Sequence, residues 1–525
     1  MDNLEARSLL GLGEQFTKAE LDTAFVKLSA EAKVAKQAQK IALLSRARTI
    51  LLRDGSVLPD SAEPDHIREP KLALKYLSTT KNNVFITGPG GNGKSHLLET
   101  LYNTIKDRAV AVVAPTGTAA MRLDVPASTA NSFFKLGTHA GLSFQDHSKM
   151  SSVEKAKFKV LNLLIIDEVS MVNADFLDAI NLKLQAARGN EKPFGGVQVF
   201  MFGDPFQLPP VPSSDDPLME AKLEEKYPAG NWFFEAEVYE DGNFDVIELQ
   251  VNHRVANADA SGAELIEYLR KIRLGDTSAE TLGYFNSRLG KEPDADTYVT
   301  LVPRNRDAEP INDGAMAKLP GKEYSFPGVF EKTNPKSTMQ AAWDKVIPDE
   351  VLRIKVGAQV MFIKNDDQGG KLIAGKKAPR WANGHEGVVT DVNEAAKTIS
   401  VLHKPSGETY EVKTSAWDIP QHEASTKKLS HGANVETLVP VVQARYVQFP
   451  IRLAWALTIH KSQGQTYENM AFEPNGVTNA GQAYVALSRA KRLSGISLKS
   501  PLNATHVHVS PEAALFMKNC NPIHF

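Results

Sequence analysis

The chain has 525 residues, 42% of them apolar and 23% charged, which excludes a wholly disordered or fibrous protein. At roughly 150 residues per domain, this length accommodates three or four domains. Lys and Arg number 60 against 62 Asp and Glu, a net charge of −2, so a nucleic-acid surface would have to be a local groove between domains. Cys520 is the one cysteine, which excludes an intramolecular disulfide and a multi-cysteine metal site. No apolar run reaches about 18 residues, so a membrane crossing is not expected. The start, Met1 to Arg7, has no basic stretch leading into an apolar core. The expected location is cytoplasmic, either nucleoid-associated or, for a virus-encoded chain, in a host cytoplasm.

Residues 1–62 read as a helical hairpin. Thr17-Lys18-Ala19-Glu20 has capping-box spacing with Phe16 and Leu21 placed as a staple, Leu21, Phe25 and Leu28 continue one face, and a second helical stretch covers about 31–52. A Pro- and Asp-containing linker follows at 58–65. From Asn83 short apolar runs alternate with helical segments at 84–87, 109–114, 163–166 and 197–201, the pattern of a parallel sheet buried on both faces; this α/β domain is expected over 66–245. A second α/β domain is expected over 246–345 and 441–525, with strands at 246–249, 298–302 and 485–487. Between its halves, 346–440 carries short strands at close spacing, which predicts an inserted small β-barrel with its core at about 385–435.

Gly88-Pro89-Gly90-Gly91-Asn92-Gly93-Lys94-Ser95 fits a P-loop between a predicted strand and helix. Its glycines let successive amides face phosphates, Lys94 supplies a point charge, and Ser95 can ligate Mg²⁺. Asp167 and Glu168 end an apolar strand, where the first acid can hold Mg²⁺ and the second can orient or deprotonate the attacking water. Gln207, in Gly203 to Val211 after another strand, can bond the γ-phosphate or that water.

With these motifs and Arg188 to Val199 in place, the chain resembles the superfamily 1 helicases of the Pif (petite integration frequency) group, related to the Dda and RecD-type enzymes. Ala114 to Ala120 resembles motif Ia, Leu457 to Thr466 motif V and Tyr484 to Ala490 motif VI; the likeness covers about 70–500. It implies two RecA-like domains, 1A and 2A, with a pin inserted in 1A at about 136–159 and an SH3-like barrel 2B inserted in 2A. It also implies arginine fingers at Arg254 and Arg489, a nucleotide contact at Gly464, and backbone contacts to single-stranded DNA from Pro115, Thr116, Thr118, Ser132, His460 and Ser462. Phe133 is a candidate base-stacking residue, although adjacent phenylalanines are more often core. Lys371, Lys376, Lys377 and Arg380 form a basic loop, as readily solvated as bound to DNA. Two positions depart from the family pattern: no Gln precedes the P-loop strand to read adenine, and Asn131 stands where His is common.

The resulting expectation is an ATP- and Mg²⁺-dependent helicase moving 5′→3′ on single-stranded DNA and opening forked duplexes, in replication, recombination or repair. The alternative is a DNA-stimulated ATPase that remodels protein–DNA complexes as a motor subunit. In either case the N-terminal hairpin is the expected docking module for a protein partner.

Overall fold

The computed structural model describes residues 9–10, 16–17, 21, 24–25, 27–28 and 57–58, and from 65 onward all but 138–139, 211–215, 254–259, 294–297, 333–347, 370–371, 374–375, 378 and 429–433. Of the N-terminal piece, Leu21 is buried within a helical segment, and Phe16–Thr17 pairs in parallel with Val57–Leu58. Thr17 therefore begins as strand; the expected box partner Glu20 and the second helix at 31–52 lie outside the described residues. Helix α1 follows at Asp65–Thr79.

The first α/β layer contains β1 (Val84–Thr87), α2 (Lys94–Thr104), β2 (Val110–Ala114), α3 (Gly117–Arg122), β3 (Ala127–Thr129), α4 (Ala130–Phe134), α5 (Ser152–Val160), β4 (Leu163–Ile166), α6 (Ala174–Arg188), β5 (Gln198–Phe202) and β6 (Asp245–Glu248). These strands form one parallel sheet in the order β3-β2-β4-β5-β1-β6. β1, β2 and β4 are buried along their whole length, as strands covered by helices on both faces must be. Strand β6, expected to open the second domain, instead pairs with β1 (Ile86 opposite Ile247) and closes the first sheet. Sequence order does not reveal which edge a strand joins.

The second layer has α7 (Ala260–Arg273), β7 (Val299–Val302) and α8 (Asn305–Lys318), then resumes far along the chain with β18, β19, α9 and β20. The intervening strands are β8 (Tyr324–Pro327), β9 (Val329–Lys332), β10 (Val351–Ile354), β11 (Gln359–Phe362), β12 (Glu386–Asn393), β13 (Thr398–His403), β14 (Glu408–Val412), β15 (Ser415–Lys428), β16 (Asn434–Gln448) and β17 (Ile451–Leu453). Returning to the second layer, β18 is Ala456–Thr458, β19 Met470–Phe472, α9 Gln482–Leu487 and β20 Ile496–Leu498; its sheet is parallel in the order β18-β7-β19-β20. The run 485–487, expected as strand, lies in α9, buried on every side; a short helix apolar all round has no period to distinguish it from a buried strand.

The insert is an antiparallel sheet of open order β14-β13-β12-β11-β17, with a bulge between Val389 and Asp391. The sheet reaches beyond the expected core at 385–435: it recruits β11 and β17, and 415–448 forms a long ribbon, β15 with β16, on which β9 adds a third strand. The second layer resumes at Ala456 rather than 441. The ribbon packs on α4 and α5, and Leu438 joins the first domain's core. The chain end also returns there: α10 (Pro511–Asn519) stacks Phe516 on Phe234 at 4.1 Å, and Ile523 bridges to Ile247 of β6. Residues 511–524 therefore complete the first domain, contrary to the expected boundary.

The expected pin at 136–159 is anchored at several of its described residues. Asp175 accepts from the backbone N–H groups of Leu142 and Ser143 at 2.8 Å, His147 Nε2 bonds Leu142 O at 2.8 Å, and Phe158 is fully buried. Among its described residues, Phe144 and Val153 are large apolar side chains that are exposed. The stretch 188–199 is a structural staple, because Arg188 donates to the carbonyls of Phe158, Lys159, Leu161 and Gly195.

Candidate nucleotide and DNA site

A cleft of about 600 Å³ opens where the two parallel sheets face each other. Its floor is the loop Gly88–Ser95 between β1 and α2, whose turn requires glycine at two points in particular. Gly88 (φ 141°) approaches Leu249 O so closely that a Cβ would lie 2.5 Å from it, and Gly93 (φ 74°) starts α2 in the left-handed region. Lys94 Nζ donates to the carbonyls of Gly88 (2.5 Å) and Pro89 (3.0 Å), curling back over the loop. Burial holds its ammonium below the usual lysine range, opposed by the charges of Asp204, Glu168 and Asp167. Asn92 ties the loop to β6 through Leu249 O at 2.6 Å.

Asp167 and Glu168 follow β4 at the cleft wall. Asp167 is buried, and burial together with the Glu168 charge raises its pKa while Arg122 and Lys94 pull it down. Glu168 sits at φ 51°, a left-handed conformation costly for a side-chain-bearing residue and common where a site fixes a carboxylate. Both carboxylates meet Arg122 at the end of α3: its Nη2 lies 3.0 Å from Glu168 Oε1, 3.4 Å from Asp167 Oδ2 and 3.5 Å from Ser95 Oγ. The hydroxyl of Ser95 and the carboxylate of Asp167 therefore converge on a point that already holds positive charge. Two hard oxygens beside a P-loop are a donor set suited to Mg²⁺.

The second layer supplies the opposite wall. Arg489, 2% exposed, is held by Val485 O and Ser488 Oγ, both at 2.8 Å, beside Gly90. Tyr484 OH accepts from the Gly90 N–H at 2.7 Å, and Asn252 Nδ2 donates to Gly90 O at 3.1 Å. Asp204, fully buried after β5, receives a forked pair of hydrogen bonds from Arg273 of α7, with Nη2 at 2.9 Å. Gln207, 5% exposed, lines the cleft together with Gly464. Arg254 lies outside the described residues.

The expected DNA contacts divide. Pro115 and Thr116 are half-buried, and Thr116 Oγ1 caps α3 by accepting from Ala119 N–H. Ser132 is half-buried and His460 exposed, whereas the side chain of Thr118 is not described. Two expectations are corrected. Phe133 is 2% exposed, packed on Phe134, Phe158 and His422, so its ring has no face left for a base. Ser462 is fully buried and donates its hydroxyl to Ile459 O at 2.8 Å, closing the turn that carries His460. In the basic loop, Arg380 is fixed in a forked pair with Asp366 (2.8 and 2.9 Å), and the side chains of Lys371, Lys376 and Lys377 are not described.

The family model described as PIF1-like helicase matches residues 72–282. An ATP-dependent DNA helicase Pif1 from Bdellovibrio bacteriovorus is 29% identical over 453 residues, covering 86% of this chain and 91% of the relative. Over these residues the chain is similar to the PIF1-like helicases. ATP-dependent DNA helicase PIF1 of Xenopus laevis is also 29% identical, with 83% of this chain matching 62% of that longer protein. Among solved structures, Bacteroides sp. Pif1 in complex with ADP-AlF4 superposes with a TM-score of 0.71 at 28% identity, covering 86% of this chain and 96% of the other. Bacteroides Pif1 bound to ssDNA gives 0.58 at 29%, over 86% and 95%. The PIF1-like match begins in α1 and ends beyond α7, so it spans the P-loop, Asp167, Glu168 and Gln207.

Sequence reading missed Arg122, Gln463 and the Asp204–Arg273 pair. Arg122 ends a six-residue helix, where an arginine reads as an ordinary C-terminal charge, and no spacing rule places it beside residues 45 positions away.

Proposed function

We propose that the chain is an ATP-dependent DNA helicase that moves 5′→3′ along single-stranded DNA and opens forked duplexes in the cytoplasm, in replication, recombination or repair. The observation that carries this reading is a cleft in which the P-loop and Glu168 of one parallel-sheet domain face Gly464 and Arg489 of the other. A nucleotide seated there bridges both domains, so its hydrolysis can change their separation. Lys94 binds the β- and γ-phosphates, Arg489 stabilises charge on the transferring phosphoryl group, Glu168 takes a proton from the attacking water and Gln207 orients that water. Ser95 and Asp167 would hold Mg²⁺, which neutralises phosphate charge. Arg254 is proposed as a second arginine finger. Pro115, Thr116, Thr118, Ser132 and His460 are proposed to contact the strand's backbone, and residues 1–62 to dock a protein partner.

The test is unwinding of forked duplexes carrying either a 5′ or a 3′ single-stranded tail, with ATP and Mg²⁺, and phosphate release measured in the same reactions. Opening of the 5′-tailed fork alone is expected. Phosphate release without strand separation on either fork would replace the helicase reading with that of a remodelling ATPase.

A further inference from the structure

Arg122 lies beside the two oxygens proposed to hold Mg²⁺. Its Nη2 lies 3.4 Å from Asp167 Oδ2 and 3.5 Å from Ser95 Oγ, the two oxygens suited to holding the ion. An octahedral Mg²⁺ sits about 2.0–2.1 Å from its ligands, so an ion bound to both oxygens on the side facing Nη2 would crowd and repel the guanidinium. The same Nη2 donates to Glu168 Oε1 at 3.0 Å, and Gln463 Nε2 donates to Glu168 Oε2 at 3.0 Å. Both oxygens of the proposed general base are thereby engaged. Nη1 reaches across to Gln463 O of motif V at 3.2 Å, and the guanidinium lies against the backbone of Gly464, whose φ of 77° favours glycine. The arginine is thus enclosed from both domains, its side chain 18% exposed. Burial opposes its charge, and the two carboxylates more than offset that, so it stays charged.

Its element gives this arrangement a direction. α3 is six residues long, beginning after Thr116 in the proposed strand-contact loop and ending at Arg122, about 9 Å further along. A shift of that loop moves the guanidinium with it.

We propose that Arg122 is a positioning residue that occupies the cation site and ties up Glu168 in the idle enzyme, and that strand engagement at the Thr116 loop favours its withdrawal. DNA stimulation of hydrolysis then consists in part of vacating the metal position. This inference rests on the helicase reading above.

The experiment uses the full chain as wild type, Arg122→Gln and Arg122→Lys, with thermal unfolding recorded for each. Binding of a fluorescent ADP analogue is titrated with Mg²⁺ in the absence of turnover, and phosphate release from ATP is measured with and without oligo(dT). For Arg122→Gln the half-saturating Mg²⁺ is expected to fall about three- to tenfold, as when a competing occupant is removed. Basal phosphate release should rise several-fold and stimulation by oligo(dT) should shrink, with Arg122→Lys lying between that variant and wild type. Unchanged Mg²⁺ dependence in a folded Arg122→Gln chain, or loss of turnover in both variants, would overturn the proposal; should Arg122→Gln fail to fold, Arg122→Lys carries the same test. A wild type with no DNA-stimulated turnover would defeat the helicase reading instead, while the Mg²⁺ titration still decides whether Arg122 occupies the cation site.

Discussion

The tasks proposed for Lys94 and Glu168 in one cleft differ, so under that proposal their substitutions separate. Lys94→Ala removes the point charge that the phosphates meet, and phosphate release is expected to fall by at least about 10²-fold with nucleotide binding weakened. Glu168→Gln keeps shape and hydrogen bonding but removes the base, so a fluorescent nucleotide should still bind while turnover drops about 10²–10⁴-fold. Both residues are legible in the sequence because a P-loop and an acid after a buried strand are local patterns. Phe133 shows the limit of such patterns. Its neighbours Phe158 and His422 come from distant segments, so Phe133→Ala is expected to destabilise the fold by about 3–5 kcal/mol, read as a lowered Tm. Strand affinity, once corrected for the unfolded fraction, should stay near wild type.

Elements bring together charges that no motif contains. In the insert, His403 on β13 is 3% exposed, with Nε2 2.9 Å from His385 Nδ1 and Nδ1 2.7 Å from Ser406 Oγ. Burial first, and the neighbouring His385 ring second, hold its pKa down to about 4. The folded chain thus favours the neutral ring: the stabilisation is complete above the unfolded value near 6.5 and is lost as pH falls toward 4. His422 on the ribbon, buried and near Lys157, is likewise lowered to about 4 and works in the same direction. Urea unfolding between pH 7 and 4.5 is expected to show His403→Gln losing about 2 kcal/mol less stability than wild type over that interval. The alternating strands of the insert were readable from the sequence. Their sheet partners were not, because β12 to β14 and the ribbon come between β11 and β17 along the chain.

For the molecule as a whole, the chain crosses between its two cores more than once. After β20 it leaves the second sheet, packs α10 on Phe85, Phe233 and Phe234 of the first, and ends beside β6. Phe516→Ala, at a half-buried position, is expected to cost about 2 kcal/mol. Its Tm should fall and protease cleavage should increase within 230–250, where Phe234 loses its stacking partner and Tyr239 an edge contact. Equal proteolysis of variant and wild type would remove this role for the C-terminal helix.

The sequence by itself determined the P-loop, the acids after β4, the parallel-sheet character of both domains and the presence of a β-rich insert. Each of these depends on neighbours within about ten positions, through period, turn chemistry or strand burial. Tertiary structure alone decided that β6 and residues 511–524 belong to the first domain, that the insert's ribbon rests on α4 and α5, and that Arg122 sits between Ser95, Asp167 and Glu168. These are contacts between residues tens to hundreds of positions apart. They are fixed by which buried faces fit together, and a one-dimensional pattern carries no record of that fit.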